Sequence, residues 1–262
     1  MKPLIILLYV KSSLHVALSL WAFCNVLALQ QGISVSVSMQ CAFFGFGLAA
    51  YKYTNQFVPA LFNRQSISVV NIALLVVALS LGFWGLMAQP LNVWWLFFGI
   101  AVLTFCYALP FGAHMGLRFV PMLKVFVVAF SWTTLALLPL ISLPKQMFVW
   151  VATKSVLWIL CLMLPFELRD LHKDPPSLKT VPQLLGISRT KTLGYVLLCG
   201  IAFLVYQTVE VAALFWVEIG VLLLLGIAIR ASPKRSETFT SFWVEGIPVL
   251  WLGLSYLVLT YC

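Results

Sequence analysis

The stretch Phe166-Glu167-Leu168-Arg169-Asp170-Leu171-His172-Lys173-Asp174-Pro175-Pro176-Ser177-Leu178-Lys179-Thr180-Val181-Pro182-Gln183-Leu184-Leu185-Gly186 follows directly on a long apolar run. It holds three of the seven acidic residues in the chain, and no Asp or Glu precedes Glu167. Glu167, Asp170 and Asp174 are spaced i, i+3, i+7, which predicts one shared face on a continuing helix. A carboxylate inside a bilayer costs roughly a few kcal/mol, so acids emerging at its edge point to an ion or phosphate site.

Working outward, the chain is 63% hydrophobic and 9% charged over 262 residues, with a mean hydropathy of +1.05. A soluble domain of this size cannot hide that much apolar surface, because water-facing helices need a polar side. The long apolar runs do not alternate as barrel strands do. The class is therefore all-α and polytopic, since a helix satisfies its own backbone hydrogen bonds in lipid. Residues 2–10 read as an interfacial helix or the approach to the first span, with no signal-peptide cleavage site after them. Cysteines at 24, 41, 106, 161, 199 and 262 are scattered singly, without metal-ligand spacing.

Apolar runs of about 20 residues predict nine spans at 12–30, 34–52, 67–88, 91–109, 121–143, 146–166, 192–208, 211–230 and 240–261. Positive charge gathers in alternate loops: Lys52 and Arg64; Arg118 and Lys124; Arg169, Lys173, Lys179, Arg189 and Lys191; Arg230, Lys234 and Arg235. The opposite loops hold only Lys145. The positive-inside rule then places the amino terminus in the cytoplasm and the carboxyl terminus outside. The net charge of +9 is used by topology, so no nucleic-acid partner is expected. No loop is large enough to fold alone, so residues 1–262 read as a single membrane domain.

Two cytoplasmic loops carry chemistry. Asp170 and Asp174 can each offer an oxygen to a magnesium ion, which commonly bridges one or two carboxylates to phosphate oxygens. Arg169, Lys173 and Lys179 supply cations for a diphosphate. The plain alternative is a solvated, salt-bridged helix end with a Pro-Pro stop. The loop after the fourth span places Arg118 and Lys124 where they can face the same cytoplasmic pocket, with topology charges as the alternative; His114 reads as a surface residue. Within the spans, Lys154 and Glu218 are a candidate pair, and Glu245 and His15 sit where they can line a pocket.

The order Arg169-Asp170-x-x-x-Asp174, a short gap, then Lys179-Thr180-x-Pro182-x-x-x-Gly186 resembles the second aspartate-rich motif of the UbiA-type intramembrane prenyltransferases. Tyr107, Pro110, Arg118 and Lys124, with Trp132 beyond, resemble a second segment of that family. The resemblance implies a nine-helix UbiA-like bundle in which Asp170 and Asp174 hold magnesium and are catalytic. It implies that Arg169, Lys173, Lys179, Arg118, Lys124 and Tyr107 bind diphosphate. The implied reaction transfers an isoprenyl group from an isoprenyl diphosphate to a small lipophilic, often aromatic, acceptor in the membrane. Aromatic side chains would shield the allylic cation. A bacterial inner membrane is the expected location, with lipid as surroundings.

The pattern departs from the family at the end of the second span. Where the family carries Asn-Asp-x-x-Asp, this chain reads Tyr51-Lys52-Tyr53-Thr54-Asn55-Gln56 and continues to Arg64 without a carboxylate. Asn55 and Gln56 offer neutral oxygens, and Arg64 or Lys52 offers a cation to phosphate directly. An amide does not replace a carboxylate's charge at a hard divalent ion. Three readings follow: an enzyme using one magnesium, a silent relative that binds a lipid or prenyl diphosphate, or a subunit of a membrane assembly with a protein partner. A transporter fits less well, because the acids gather at one face and no paired Gly/Pro breaks mark matching halves.

Overall fold

The fold is described from a computed structural model covering residues 9–109, 116–232 and 236–261. Most of the 2–10 segment, Pro110, His114, Lys234, Arg235 and Cys262 lie outside the described residues. Within them the chain is helical throughout, with no strand. The helices are α1 (Leu14–Gln30), α2 (Val37–Lys52), α3 (Val58–Phe62), α4 (Val69–Met87), α5 (Leu91–Ala108), α6 (Leu123–Leu137), α7 (Lys145–Asp170), α8 (Val181–Thr208), α9 (Ala212–Ala231) and α10 (Ile247–Tyr261). Widened π-helical turns at Tyr53–Phe57 and Phe239–Val244 precede α3 and α10.

Local chemistry sets the starts. Ser36 Oγ accepts the Met39 N–H at 3.3 Å ahead of α2, and Ser68 Oγ accepts the Asn71 N–H at 3.3 Å ahead of α4. Prolines at 90 and 144 stand immediately before α5 and α7. Among the described residues seven helical segments are long and apolar enough to cross a membrane: α4, α5, Leu123–Leu140, α7, α8, α9 and Phe239–Tyr261. The protein is thus an integral membrane protein. α1 and α2, at 17 and 16 residues, occupy the first two predicted spans but are shorter.

Two elements differ instructively from expectation. α7 runs on through Glu167 to Asp170, making 26 residues, or about 39 Å at 1.5 Å per residue. That exceeds a hydrocarbon core of about 30 Å, so the end of the helix is long enough to carry its charges toward headgroup level. The helix stops at Asp170, however, and Asp174 lies in the turn beyond, its N–H on the Asp170 carbonyl at 2.9 Å. The expected i, i+3, i+7 face is therefore cut short, because Pro175-Pro176 cannot continue a helix. α8 starts at Val181 instead of 192. Thr180 N–H donates to Gln183 Oε1 at 2.9 Å, and Pro182 suits a first helical turn. Gly186, at φ 77°, then kinks the element.

The helices group into two compact units, residues 1–21 with 35–120 and residues 22–34 with 121–262. In the first, α2 and α4 meet backbone to backbone. A Cβ on Gly45 would lie 2.5 Å from Gly82 N and 2.6 Å from Ala78 O. Small residues permit this approach between membrane helices. Gly45→Ala should therefore cost about 1–3 kcal/mol through overpacking; an unchanged thermal midpoint in detergent would contradict the contact.

The second unit holds Phe23 of α1 among Trp132, Trp158 and Trp251, with the last two stacked at 4.9 Å and 12°. It also contains the expected Lys154–Glu218 pair, Nζ to Oε2 at 3.1 Å and both residues fully buried. Gln30 closes a triangle: it accepts from Lys154 Nζ at 2.8 Å and donates to Glu218 Oε2 at 2.7 Å. Three helices, α1, α7 and α9, are tied at one polar node. Lys154 lies 16 residues from Asp170 on α7, roughly 24 Å along the axis, so the node is remote from the acidic end.

Candidate functional site

The site in the second unit is built at the end of α7. Glu167, one turn before the terminus, is 1% exposed, and its Oε1 lies 3.0 Å from Lys124 Nζ. The same ammonium reaches Asp174 Oδ2 at 3.4 Å. Lys124 enters from the first turn of α6, so one cation bridges the helix end and the turn beyond it. Arg169 forms a fork on Asp170, Nε to Oδ1 at 2.7 Å and Nη2 to Oδ2 at 2.5 Å. Its Nη1 donates to Thr240 Oγ1 at 2.6 Å and Ser241 Oγ at 3.2 Å. Both hydroxyls come from the π-helical turn before α10, and widened turns of this kind recur at functional positions. The Glu245 carboxylate lies within electrostatic reach of the same guanidinium.

The loop that follows is fixed by its own polar groups. Gln183 Nε2 donates to the Asp174 and Pro175 carbonyls at 2.9 and 3.3 Å. Met122 N–H donates to the Leu178 carbonyl at 3.0 Å, joining this loop to the approach of α6. Thr180, Pro182, Gln183 and Gly186 therefore have local structural reasons: a helix start, a tether and a kink.

The predicted residues separate accordingly. Arg169, Asp170, Asp174 and Lys124 come together. Lys173 is exposed and pairs with Glu237. The Lys173 ammonium holds the Glu237 carboxyl below its ordinary value. Its small contribution is thus present at neutral pH and is lost as pH falls through that lowered value; solvent and salt screen it. Lys179 is exposed, in the left-handed region at φ 45°. Arg118 and Tyr107 belong to the first unit, Arg118 exposed in a 3-10 turn and Tyr107 half-buried near the end of α5. In that unit Asn55 and Arg64 are exposed, whereas Gln56 accepts from the buried Lys52 Nζ at 3.2 Å. Asn71 Oδ1 accepts from the same nitrogen at 3.0 Å, a contact across 19 residues that no motif announced. Thr240, Ser241 and Glu237 were equally missed, lying more than 60 residues along the chain from the side chains they join.

The three carboxylates Glu167, Asp170 and Asp174 face two cations, Lys124 and Arg169, which leaves a formal excess of one negative charge. Among the described residues no group of three or more His, Cys, Asp or Glu can hold a metal by itself. The donor set fits a magnesium ion that takes one or two carboxylates and completes its shell with water and phosphate oxygens. It does not fit a cage made wholly of protein.

Comparison at the level of sequence finds no matching family and no matching curated protein. Solved structures do match. A UbiA homologue from Archaeoglobus fulgidus bound to DMAPP and Mg²⁺ aligns at TM-score 0.65 and 15% identity, covering 97% of this chain and 99% of that one. The same homologue bound to GPP and Mg²⁺ aligns at 0.63 and 14%, over 96% and 99%. The apo structure of a UbiA homologue from Aeropyrum pernix K1 aligns at 0.64 and 17%, over 94% and 98%. The agreement extends over nearly the full length of each of these structures, so this chain has the fold of these UbiA homologues.

Proposed function

We propose that this chain is a divergent UbiA-type prenyltransferase working as a single membrane domain. In this reading nine helices cross a bacterial inner membrane with the amino terminus in the cytoplasm, and the acidic end of α7 lies on that side. The observation that carries it is the gathering of Asp170, Asp174, Lys124 and Arg169 at the terminus of a helix longer than the bilayer core. Asp170 and Asp174 would hold one magnesium ion, which when bound offsets negative charge on the diphosphate. Lys124 and Arg169 bind and orient the diphosphate oxygens, with Lys173 and Lys179 on the exposed approach. The carbon–oxygen bond of the isoprenyl diphosphate breaks, its electron pair leaving on the diphosphate. A lipophilic acceptor then bonds to the allylic carbon and loses a proton.

One observation favours a second reading, in which the chain binds a lipid or prenyl diphosphate without turnover, alone or as a subunit of a larger membrane assembly. Both oxygens of Asp170 already accept from Arg169, so an arriving metal competes with a bidentate guanidinium. The two readings part on pyrophosphate release from geranyl diphosphate by purified protein. The enzyme reading expects magnesium-dependent release, reduced on the order of a hundredfold or more by Asp170→Asn and by Asp174→Asn. Retained binding with no release in the unmodified chain would favour the second reading. Release indifferent to both substitutions would remove the site.

A further inference from the structure

Arg169 is held from two sides, and only one of them competes with a metal ion. Its Nε and Nη2 fork onto Asp170, whereas Nη1 donates to Thr240 Oγ1 at 2.6 Å and Ser241 Oγ at 3.2 Å. Thr240 gives its own hydroxyl proton to the Glu237 carbonyl at 3.0 Å, so toward the guanidinium its oxygen can only accept. One turn back on α7, the Phe166 ring lies under the guanidinium, its centroid 5.4 Å from Cζ. The Arg169 side chain is 18% exposed, so water offers it little in place of a lost carboxylate. To release Asp170 it needs a second anion within the fold.

Two further carboxylates lie within electrostatic reach of this guanidinium, Glu237 and Glu245. Glu237 is exposed and taken by Lys173. Glu245 closes the widened turn itself: its N–H donates to the Thr240 carbonyl at 3.0 Å. That bond spans five residues instead of four, which stacks Glu245 one turn beyond Thr240. The turn that anchors Nη1 therefore also carries a half-buried acid. It does so inside the apolar segment Phe239–Tyr261, where an ionisable group marks a function more often than a packing role.

We propose that Glu245 is a positioning residue for the metal site: with Thr240 and Ser241 it keeps Arg169 when Asp170 turns to a magnesium ion. The Nη1 anchor on the two hydroxyls stays in place. The Nε–Nη2 edge leaves Asp170, and Glu245 supplies the negative charge that the guanidinium gives up there. The fork on Asp170 is then one of two resting places for Arg169, and Glu245 sets how readily a metal enters. This inference rests on the reading that the end of α7 holds a metal, and it holds whether or not diphosphate is turned over.

The test titrates the full chain in detergent with Mn²⁺, without diphosphate, and reads bound metal from the loss of the free-ion electron paramagnetic resonance signal. Glu245→Gln should weaken Mn²⁺ binding about tenfold, and Glu245→Asp should stay within about threefold of the unmodified chain. Arg169→Met should tighten binding at least about tenfold, because nothing then competes for Asp170. Adding Glu245→Gln to Arg169→Met should change nothing further, since Glu245 acts through Arg169 alone. If Arg169→Met does not fold, Arg169→Gln gives the same comparison. An equal loss from Glu245→Gln in both backgrounds would show an effect of its charge or of the fold, and would overturn the proposal. So would a Glu245→Gln chain that binds Mn²⁺ as the unmodified one does, while Asp170→Asn still weakens binding; the α7 metal site would then stand without this residue. Binding indifferent to Asp170→Asn, or no binding in the unmodified chain and in Arg169→Met alike, would remove the α7 metal site and this proposal with it.

Discussion

Lys154→Met should destabilise the folded chain by about 3–5 kcal/mol, because it leaves the Glu218 carboxylate buried without its cation. The cost is set by burial: Lys154, Glu218 and Gln30 are 0%, 0% and 5% exposed. Glu218→Leu alone should cost a similar amount for the mirror reason. The double variant Lys154→Met/Glu218→Leu should recover most of the loss, since replacing a buried pair by apolar side chains is often neutral or stabilising. Thermal or denaturant midpoints of the three variants in one detergent check this. Additive losses in the double variant would contradict a coupled pair.

Lys124→Met should have a comparably large effect at the other end of α7, and this time on binding as well. One ammonium serves Glu167 at 3.0 Å and Asp174 at 3.4 Å. Glu167 is buried, so its loss of a partner should cost about 3 kcal/mol or more of stability. Asp174 is one-fifth exposed and can turn to water, so its part of the loss is smaller. Lys124→Met/Glu167→Gln should restore stability by removing the orphaned charge. It should not restore diphosphate affinity, because the phosphate-binding cation is still absent. Diphosphate affinity returning with stability would show that Lys124 only supports the fold.

How far the sequence led can be traced residue by residue. The helices were legible because lipid leaves a chain little choice: each apolar run of about 20 residues must satisfy its backbone internally. The acidic end of α7 was legible because carboxylates are rare in such a chain and stand out. The Gly45–Gly82 contact was not legible, since a glycine in an apolar run looks like any other small residue until two backbones are seen to touch. Gln30 read as part of a connecting turn, yet it bridges Lys154 and Glu218 across 124 and 188 residues of sequence. The missing first aspartate motif was plain. What stands there instead, a buried Lys52 held by Asn71 of α4, depends on a tertiary contact that no local pattern encodes.

The π-helical turns show the same limit. Tyr53–Phe57 lies just beyond the predicted second span and Phe239–Val244 at the start of the ninth, and apolar periodicity reveals a widened turn at neither. Yet one sets Gln56 against Lys52 and the other sets Thr240 and Ser241 against Arg169. Each widening re-aims a polar side chain within an otherwise apolar helix.

The central claim is that the end of α7 is a metal-assisted diphosphate site. It is tested most directly by an experimental structure of the chain with Mn²⁺ in place of magnesium and a non-cleavable isoprenyl diphosphate analogue. Anomalous density at coordination distance from the Asp170 and Asp174 carboxylates, with the diphosphate against Lys124 and Arg169, is the predicted result. Diphosphate bound elsewhere, with the Arg169–Asp170 fork intact and no metal beside it, would contradict it.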